Sequence, residues 1–200
     1  MMTRRKLLIP FLLLVLALPL LSAAEAPYGA AAILPGQNYT VEQMLTYAIQ
    51  DEYLAQAEYQ AFIKAYGTNT AFTNFERAET RHIARLVQLF EARGWQVPVN
   101  DAASRLASAP ADILDAFREE VELEKANIAM YELFLTHKDL PEDVKLAFTA
   151  LRNASRNHLA AAERNVQRNS QTQGYGRGGR RNTDVGSSTP AQGRPGRNRK

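Results

Sequence analysis

The chain has 200 residues and no cysteine, and its formal net charge of +3 is spread unevenly. Residues 1–24 carry +3, residues 25–167 carry −7 and residues 168–200 carry +7, so the body of the protein is acidic and its two ends are basic. The lack of cysteine excludes disulfides, thiolate metal sites and thiol catalysis, which leaves a hydrophobic core or a metal to stabilise the domain.

Residues 1–24 have the three parts of a secretory signal peptide. Basic residues at 4–6 precede an apolar run over residues 7–21, and small residues follow up to Ala24. The alternative is a membrane anchor, but the apolar run contains two prolines and is shorter than the roughly 20 residues that a spanning helix needs. We therefore expect cleavage after Ala24, a periplasmic or secreted location, and no membrane span in the mature protein. Residues 25–39 would form an N-terminal extension.

Capping and helix-breaking residues predict four helices within residues 40–167. Thr40 and Gln43 form a capping box at the start of the first helix, and glycines at positions 67 and 94 suit the ends of the first two. The predicted helices cover residues 41–66, 71–93, 110–137 and 141–167, the third and fourth opening at Pro110 and Pro141. Residues 95–109 read as a long connection with one short helical turn. This order predicts an all-α, ferritin-like up-down four-helix bundle.

Residues 168–200 contain one valine, one tyrosine and no larger aliphatic residue. Such a segment buries too little apolar surface to offset the entropy of ordering, so we expect a disordered Gly/Arg-rich tail. Its positive charge favours contact with anionic polymers of the cell envelope, and specific nucleic-acid recognition is disfavoured in an exported protein.

Each predicted helix carries an apolar stripe with a polar residue near its middle, in phase with the core. The predicted stripes are Leu45, Ile49, Glu52, Ala55, Tyr59 and Phe62; Phe75, Glu79, His82, Leu86 and Leu89; Ile113, Phe117, Val121, Glu124, Ile128, Tyr131 and Leu135; and Val144, Phe148, Leu151, Ser155, His158 and Ala162. The same interruption in all four helices predicts one polar layer across the bundle.

The polar layer has the composition of a metal site. Glu79 and His82 form Glu-x-x-His, and this spacing places both side chains on one helix face. Three buried glutamates would repel one another and take up protons unless a cation lay between them. The candidate ligands are Glu52, Glu79, His82, Glu124 and His158. Oxygen and imidazole ligands favour iron, with manganese and zinc also compatible.

A satisfied polar cluster is the alternative interpretation of these residues. A core histidine commonly donates a hydrogen bond to a backbone carbonyl. An interior glutamate can pair with an arginine, and Arg81 and Arg156 each lie next to a candidate residue of the layer in the sequence. His137 would lie in the last turn of the third helix, where its charge suits the helix dipole, and we assign it no ligand role. Three further acids lie off the stripes and are expected to be solvated: Glu58, Glu122 and Glu132.

At these residues the chain resembles DUF2202, a ferritin-like family of unknown function. The matching stretches are residues 51–55, 79–82, 124–129 and 155–159, and the resemblance covers roughly residues 40–167. The stretch 155–159, Ser-Arg-Asn-His-Leu, is the most specific, because it is unusual inside a helix. More distantly, the layout is similar to rubrerythrins and other di-iron carboxylate proteins.

The resemblance implies a role for each candidate ligand. Glu52 and Glu124 would be terminal ligands, Glu79 would bridge two metals, and His82 and His158 would supply one nitrogen each. The chain departs from the wider superfamily at Ser155, which stands where a second bridging glutamate is usual. Further residues of the same layer are candidates to fill the gap or to tune the site, namely Glu120, Asn127, Tyr59 and Tyr131.

Two functions of different classes follow from these observations. The first is an exported metal protein, holding one or two ions, with oxidoreductase or ferroxidase-type chemistry. The second is a non-enzymatic envelope-binding module with a degenerate site and a polyanion-binding tail. Sequence favours metal binding over turnover, because binding needs only the ligands, whereas turnover also needs an access path and open coordination.

Overall fold

The computed structural model describes residues 27–106 and 108–177. Within these ranges the chain is all-helical, with no strand, which confirms the predicted all-α bundle. The four long helices are α1 (Val41–Tyr66), α2 (Thr70–Glu91), α3 (Ile113–Leu135) and α4 (Glu142–Arg177). Two short 3₁₀ helices cover Gly29–Ala32 and Ala102–Ser104, the latter lying in the predicted connection. The predicted signal peptide and residues 178–200 of the predicted tail lie outside the described residues.

Local capping chemistry determines both ends of α1, as the sequence predicts. The Gln43 amide donates to Thr40 Oγ1 at 3.2 Å, and the Thr40 amide donates to Gln43 Oε1 at 2.9 Å, so the capping box is complete. The helix ends at Gly67, whose φ of 78° favours glycine over residues that carry a Cβ. These interactions depend on residues close in sequence, which makes them predictable.

The third helix begins and ends inside its predicted bounds. Asp112 caps α3 by accepting a hydrogen bond from the Asp115 amide at 2.9 Å, so Pro110 precedes the helix and does not occupy its first turn. The prediction for Pro110 was therefore wrong, because the side chain of Asp112 satisfies the free amides two residues later. At the other end, His137 lies beyond Leu135, outside the last helical turn.

The fourth helix is longer than predicted. It continues past Gln167 to Arg177, so residues 168–177, predicted as part of a disordered tail, are helical. No proline or glycine interrupts the chain between Pro141 and Gly174, and extending an existing helix adds one hydrogen bond for each residue fixed. Low apolar content therefore did not mark the end of this helix.

Two hydrophobic clusters occupy opposite ends of the bundle. The first brings together the start of α1, the end of α2, the end of α3 and the start of α4, with Leu45, Phe90, Phe134 and Phe148 as members. The second brings together the opposite end of each helix, with Phe62, Phe72, Phe117 and Ala162 as members. Consequently α1 and α4 run one way and α2 and α3 the other.

The helices therefore follow the order up, down, down, up. The helices of the pairs α1/α2 and α3/α4 are antiparallel, as an up-down bundle predicts. Helices α2 and α3 run in the same direction, so the alternation does not hold between them. The connection over residues 92–112 runs back along the bundle before α3 begins. Packing is closest within these two pairs, and α1 meets α3 along a sparsely packed seam.

The core face of α3 is turned relative to the predicted stripe. Val121, Ile128 and Leu135 are only half-buried. The fully buried positions instead include Glu120, Asn127, Met130 and Phe134. On α4 every predicted stripe residue is buried, whereas Ala55 of α1 and His82 of α2 are half-buried.

A short segment before α1 covers part of the seam between α1 and α3. The Ala30 amide donates to Asp51 Oδ1 at 2.8 Å, and the Gly29 amide donates to Gln50 Oε1 at 3.3 Å. Gly29 has a φ of 57°, and a Cβ at this position would lie 2.6 Å from Asp51 Oδ1. Only glycine permits this close approach to α1.

Among residues 27–106 and 108–177, no helix is both long and apolar enough to cross a membrane.

Candidate metal centre

The predicted polar layer lies between the two hydrophobic clusters. Glu52 of α1, Glu79 of α2, Glu124 of α3 and His158 of α4 are all buried, and the His82 side chain is 17% exposed. All five predicted ligands therefore meet in one layer, because each helix contributes the polar residue at the middle of its core face.

One half of the layer is built around His82. Its Nδ1 lies 2.7 Å from Glu79 Oε2 and 3.0 Å from Glu52 Oε2. The Tyr131 hydroxyl donates to the other oxygen, Glu52 Oε1, at 2.6 Å. The Glu52 carboxylate is thus fixed by a tyrosine on one side and by the histidine on the other.

The other half of the layer is built around His158. Its Nδ1 lies 2.9 Å from Glu124 Oε1 and 3.2 Å from Glu79 Oε1. Phe75 packs against the His158 ring, with the two ring centroids 4.6 Å apart. This contact orients the imidazole and keeps one side of it apolar.

Glu79 connects the two halves. Its Oε1 faces His158 and its Oε2 faces His82, and the two imidazole rings lie nearly parallel with centroids 6.1 Å apart. Two groups of potential ligands therefore share one carboxylate. They are Glu52, Glu79 and His82, and Glu79, Glu124 and His158, and within each group the ligand atoms lie within 4.8 Å of one another.

The protonation of the layer reflects its burial. Burial favours neutral histidine, but hydrogen bonds to the adjacent carboxylates raise the pKa of His82 and of His158 to about 10. Burial, reinforced by the charge of Glu79, raises the pKa of Glu52 well above its usual value. Although burial opposes it, hydrogen bonds from Glu52, His158 and His82 lower the pKa of Glu79. Protons thus supply the positive charge between these acids when no metal is bound.

A further buried acid adjoins the His158 half of the layer. Glu120 is only 1% exposed, and it accepts a hydrogen bond from the Tyr59 hydroxyl, which also lies 3.4 Å from Glu124 Oε1. Burial and the nearby charge of Glu124 raise the pKa of Glu120 well above its usual value. The sequence marked Glu120 only as a supplementary candidate. The stronger signal was its position four residues before Glu124, on the same helix face.

The residues present have the chemistry to hold a metal ion. Each group offers hard carboxylate oxygens and one imidazole nitrogen, a donor set that suits iron, manganese or zinc. Glu124 Oε2 and Asn127 Oδ1 are buried and have no hydrogen-bond partner, so both oxygens are free to accept a cation or a water molecule. Ser155, a supplementary candidate from the sequence, is buried on the same face of α4 as His158. The buried Glu/His groups can therefore hold a metal ion.

Among the acids predicted to be solvated, Glu58 is a correction. It is half-buried, and burial raises its pKa to about 8. Sequence position placed it off the stripe of α1, but it lines a cavity together with Ala30 of the segment before α1 and Leu123 of α3. Glu122 and Glu132 are exposed, as predicted, and Glu132 accepts a hydrogen bond from Arg156 at 2.6 Å. His137 belongs to neither ligand group.

Comparisons with known proteins show a shared fold. The chain is similar to the crystal structure of a hypothetical protein from Methanococcus jannaschii, with 23% identity and a TM-score of 0.58, over 69% of this chain and 87% of that one. It is also similar to a conserved hypothetical protein from Mycobacterium tuberculosis, with 17% identity and a TM-score of 0.55, over 63% and 89% of the two chains. No protein-family model and no curated protein matches the chain.

Proposed function

We propose that the protein is an exported, ferritin-like metal-binding protein that holds two divalent cations, with iron as the preferred metal. The observation that carries the proposal is the placement of Glu79, whose two oxygens face two different histidines. Each histidine has its own second carboxylate, Glu52 for His82 and Glu124 for His158. A shared carboxylate between two such groups is the arrangement expected for a pair of cations.

Electrostatics supports occupation by cations. Four glutamates converge in this layer, and burial raises the pKa of two of them, Glu52 and Glu120, well above the usual range. A bound cation would release the protons that keep these acids neutral. Metal binding would displace the protons that the histidines share with the carboxylates, so affinity should rise with pH. This proposal also accommodates the resemblance to DUF2202, and it takes the signal peptide predicted for residues 1–24 as the route of export.

Two buried tyrosines would keep the acids of this layer in place around bound iron. Bound iron would supply one-electron chemistry. Tyr131 and Tyr59 hold the outer carboxylates by hydrogen bonds, fixing Glu52 and Glu120 in position. Burial raises the pKa of both tyrosines well above 10, so they remain protonated donors over the physiological range. We propose oxidation of ferrous iron as the activity, with simple metal binding as the outcome if oxygen is not consumed.

The test uses residues 25–200 loaded anaerobically with ferrous iron, followed by gel filtration and elemental analysis. We expect two ions per chain for the wild type and fewer than one for Glu79→Gln, which removes the shared charge with little change in volume. Glu122→Gln, an exposed acid of α3, is the matched control and should keep both ions. Equal metal content in the Glu79→Gln variant and the wild type would sink the proposal. Oxygen uptake on later exposure to air separates turnover from storage.

A further inference from the structure

A cavity of about 130 Å³ lies beside the metal centre, in the seam between α1 and α3. Its size is many times the roughly 10–15 Å³ that a single water molecule requires. The wall includes Glu120, Glu124, Asn127 and Tyr59 on the inner side, and Asp51 and Glu58 nearer the segment before α1. Four of these residues are acids, and none of the lining residues is basic.

The inner wall offers oxygens that the protein itself leaves without partners. Asn127 is 7% exposed and its Oδ1 accepts no hydrogen bond, and the same is true of Oε2 of Glu124, which is 4% exposed. An unpartnered buried oxygen is costly unless a water or an ion satisfies it. Glu124 belongs both to this wall and to the His158 group, so the cavity reaches the centre itself.

The outer wall is held in place by the chain before α1. Ala30 and Ala31 line the cavity, and the Ala30 amide fixes Asp51 by donating to its Oδ1 at 2.8 Å. Ala126 of α3 also lines the cavity and is exposed, so the cavity opens to solvent on this side of the bundle. The route from solvent to Glu124 is therefore bordered by carboxylates along its length.

We propose that this cavity is the entrance for divalent cations, with Glu58 as an outer acceptor and Asn127 and Glu120 as inner acceptors that pass the ion to Glu124. The inference rests on the proposed function, because it supplies the metal centre with its route. Carboxylate and amide oxygens replace water ligands of a hard divalent cation one at a time, which keeps the ion coordinated as it leaves solvent. Each acid along the route can exchange its proton for the incoming cation, and the net charge of −7 over residues 25–167 raises the local cation concentration and hence the rate of loading.

Cobalt(II) is the probe, since its visible absorption reports arrival at a site of histidine and carboxylate ligands in stopped-flow mixing. Glu58→Gln, mixed with cobalt at about pH 8.5 because burial raises the pKa of Glu58 to about 8, replaces a carboxylate at the mouth with a poorer ligand. Ala126→Phe narrows the opening at an exposed position where folding is not at stake. The controls are Glu122→Gln and Ala129→Phe, which make the same changes at exposed positions of α3 that do not line the cavity.

We expect both cavity variants to load about threefold or more slowly than the wild type, with the final cobalt content unchanged, whereas both controls load at the wild-type rate. Unchanged rates of cobalt loading in both cavity variants, with normal cobalt content, would overturn the proposal that ions enter through this cavity. That result would leave the proposed metal-binding function intact. A wild type that binds no cobalt and no iron would overturn the centre and its entrance together.

Discussion

The Tyr131 hydroxyl holds one carboxylate of the candidate metal centre by a hydrogen bond. Tyr131 and Glu52 are both fully buried, and the hydroxyl is 2.6 Å from Glu52 Oε1. A donor in this position fixes the orientation of the carboxylate and therefore the direction in which its second oxygen points. Residues that orient ligands commonly matter for metal affinity almost as much as the ligands themselves.

Removing the Tyr131 hydroxyl should weaken metal binding without removing a ligand. We expect Tyr131→Phe to lower the affinity for ferrous iron by about 10–100-fold, because Glu52 loses the donor that orients it. Tyr66→Phe is the control, since it also loses a tyrosine hydrogen bond, to the carbonyl of Pro110, away from the centre. Anaerobic titration calorimetry provides the measurement, and equal affinities in the two variants would argue against the role of Tyr131.

At the level of secondary structure, the sequence predicted the helix features that depend on interactions between neighbouring residues. The capping box at Thr40 and the glycine end of α1 depend on neighbouring residues, and the stripe of α4 is buried throughout. The five candidate ligands, which lie together in the structure, were found because each interrupts an apolar stripe at the same depth. The long connection was also found, since Pro98 and several small residues disfavour a regular helix over residues 95–109.

What the sequence did not predict depends on contacts between distant segments. The core face of α3 is shared with polar residues, so Glu120 and Asn127 were only supplementary candidates from the sequence, and their burial follows from the packing of α1 and α4 against α3. From the sequence Glu58 was expected to be solvated, but in the folded chain it lines the cavity between α1 and α3. The burial of Glu58 has no periodic signature in the sequence, because it arises from tertiary packing.

Two neighbouring positions on α3 test which face it buries. Met130 is 1% exposed in the first hydrophobic cluster, whereas Ile128, which the apolar periodicity favoured, is half-buried. We expect Met130→Ala to lower the free energy of unfolding by about 2–5 kcal/mol, and Ile128→Ala to lower it clearly less. Urea denaturation of the metal-free protein measures both. A larger loss for Ile128→Ala would show that α3 is turned the other way.

In the metal-free molecule, ionisable side chains of the central layer hold protons that a bound metal should displace. The pKa of His82 and of His158 is raised to about 10, and burial raises that of Glu58 to about 8. Each of these groups binds protons more tightly in the folded than in the unfolded chain. Their contribution to stability is therefore largest at low pH and falls as the pH rises through the folded pKa.

The metal-free protein should become less stable between about pH 6 and pH 10. The histidine contribution is complete below the unfolded pKa of about 6.5 and is lost as the pH approaches 10, and Glu58 acts in the same direction from about 4.5 to 8. Urea midpoints across this range give the measurement. Added metal should remove most of the slope, because a cation then neutralises the carboxylates in place of protons. A flat profile in the metal-free protein would contradict this reading of the layer.

The most direct test of the proposed metal centre is anomalous X-ray scattering from crystals of residues 25–200 grown anaerobically with ferrous iron and measured above the iron edge. We expect two anomalous peaks within the bundle, one beside His82 and Glu52 and one beside His158 and Glu124, with Glu79 between them. Crystals with ordered side chains in this layer and no anomalous peak there, or with iron confined to the surface, would contradict it.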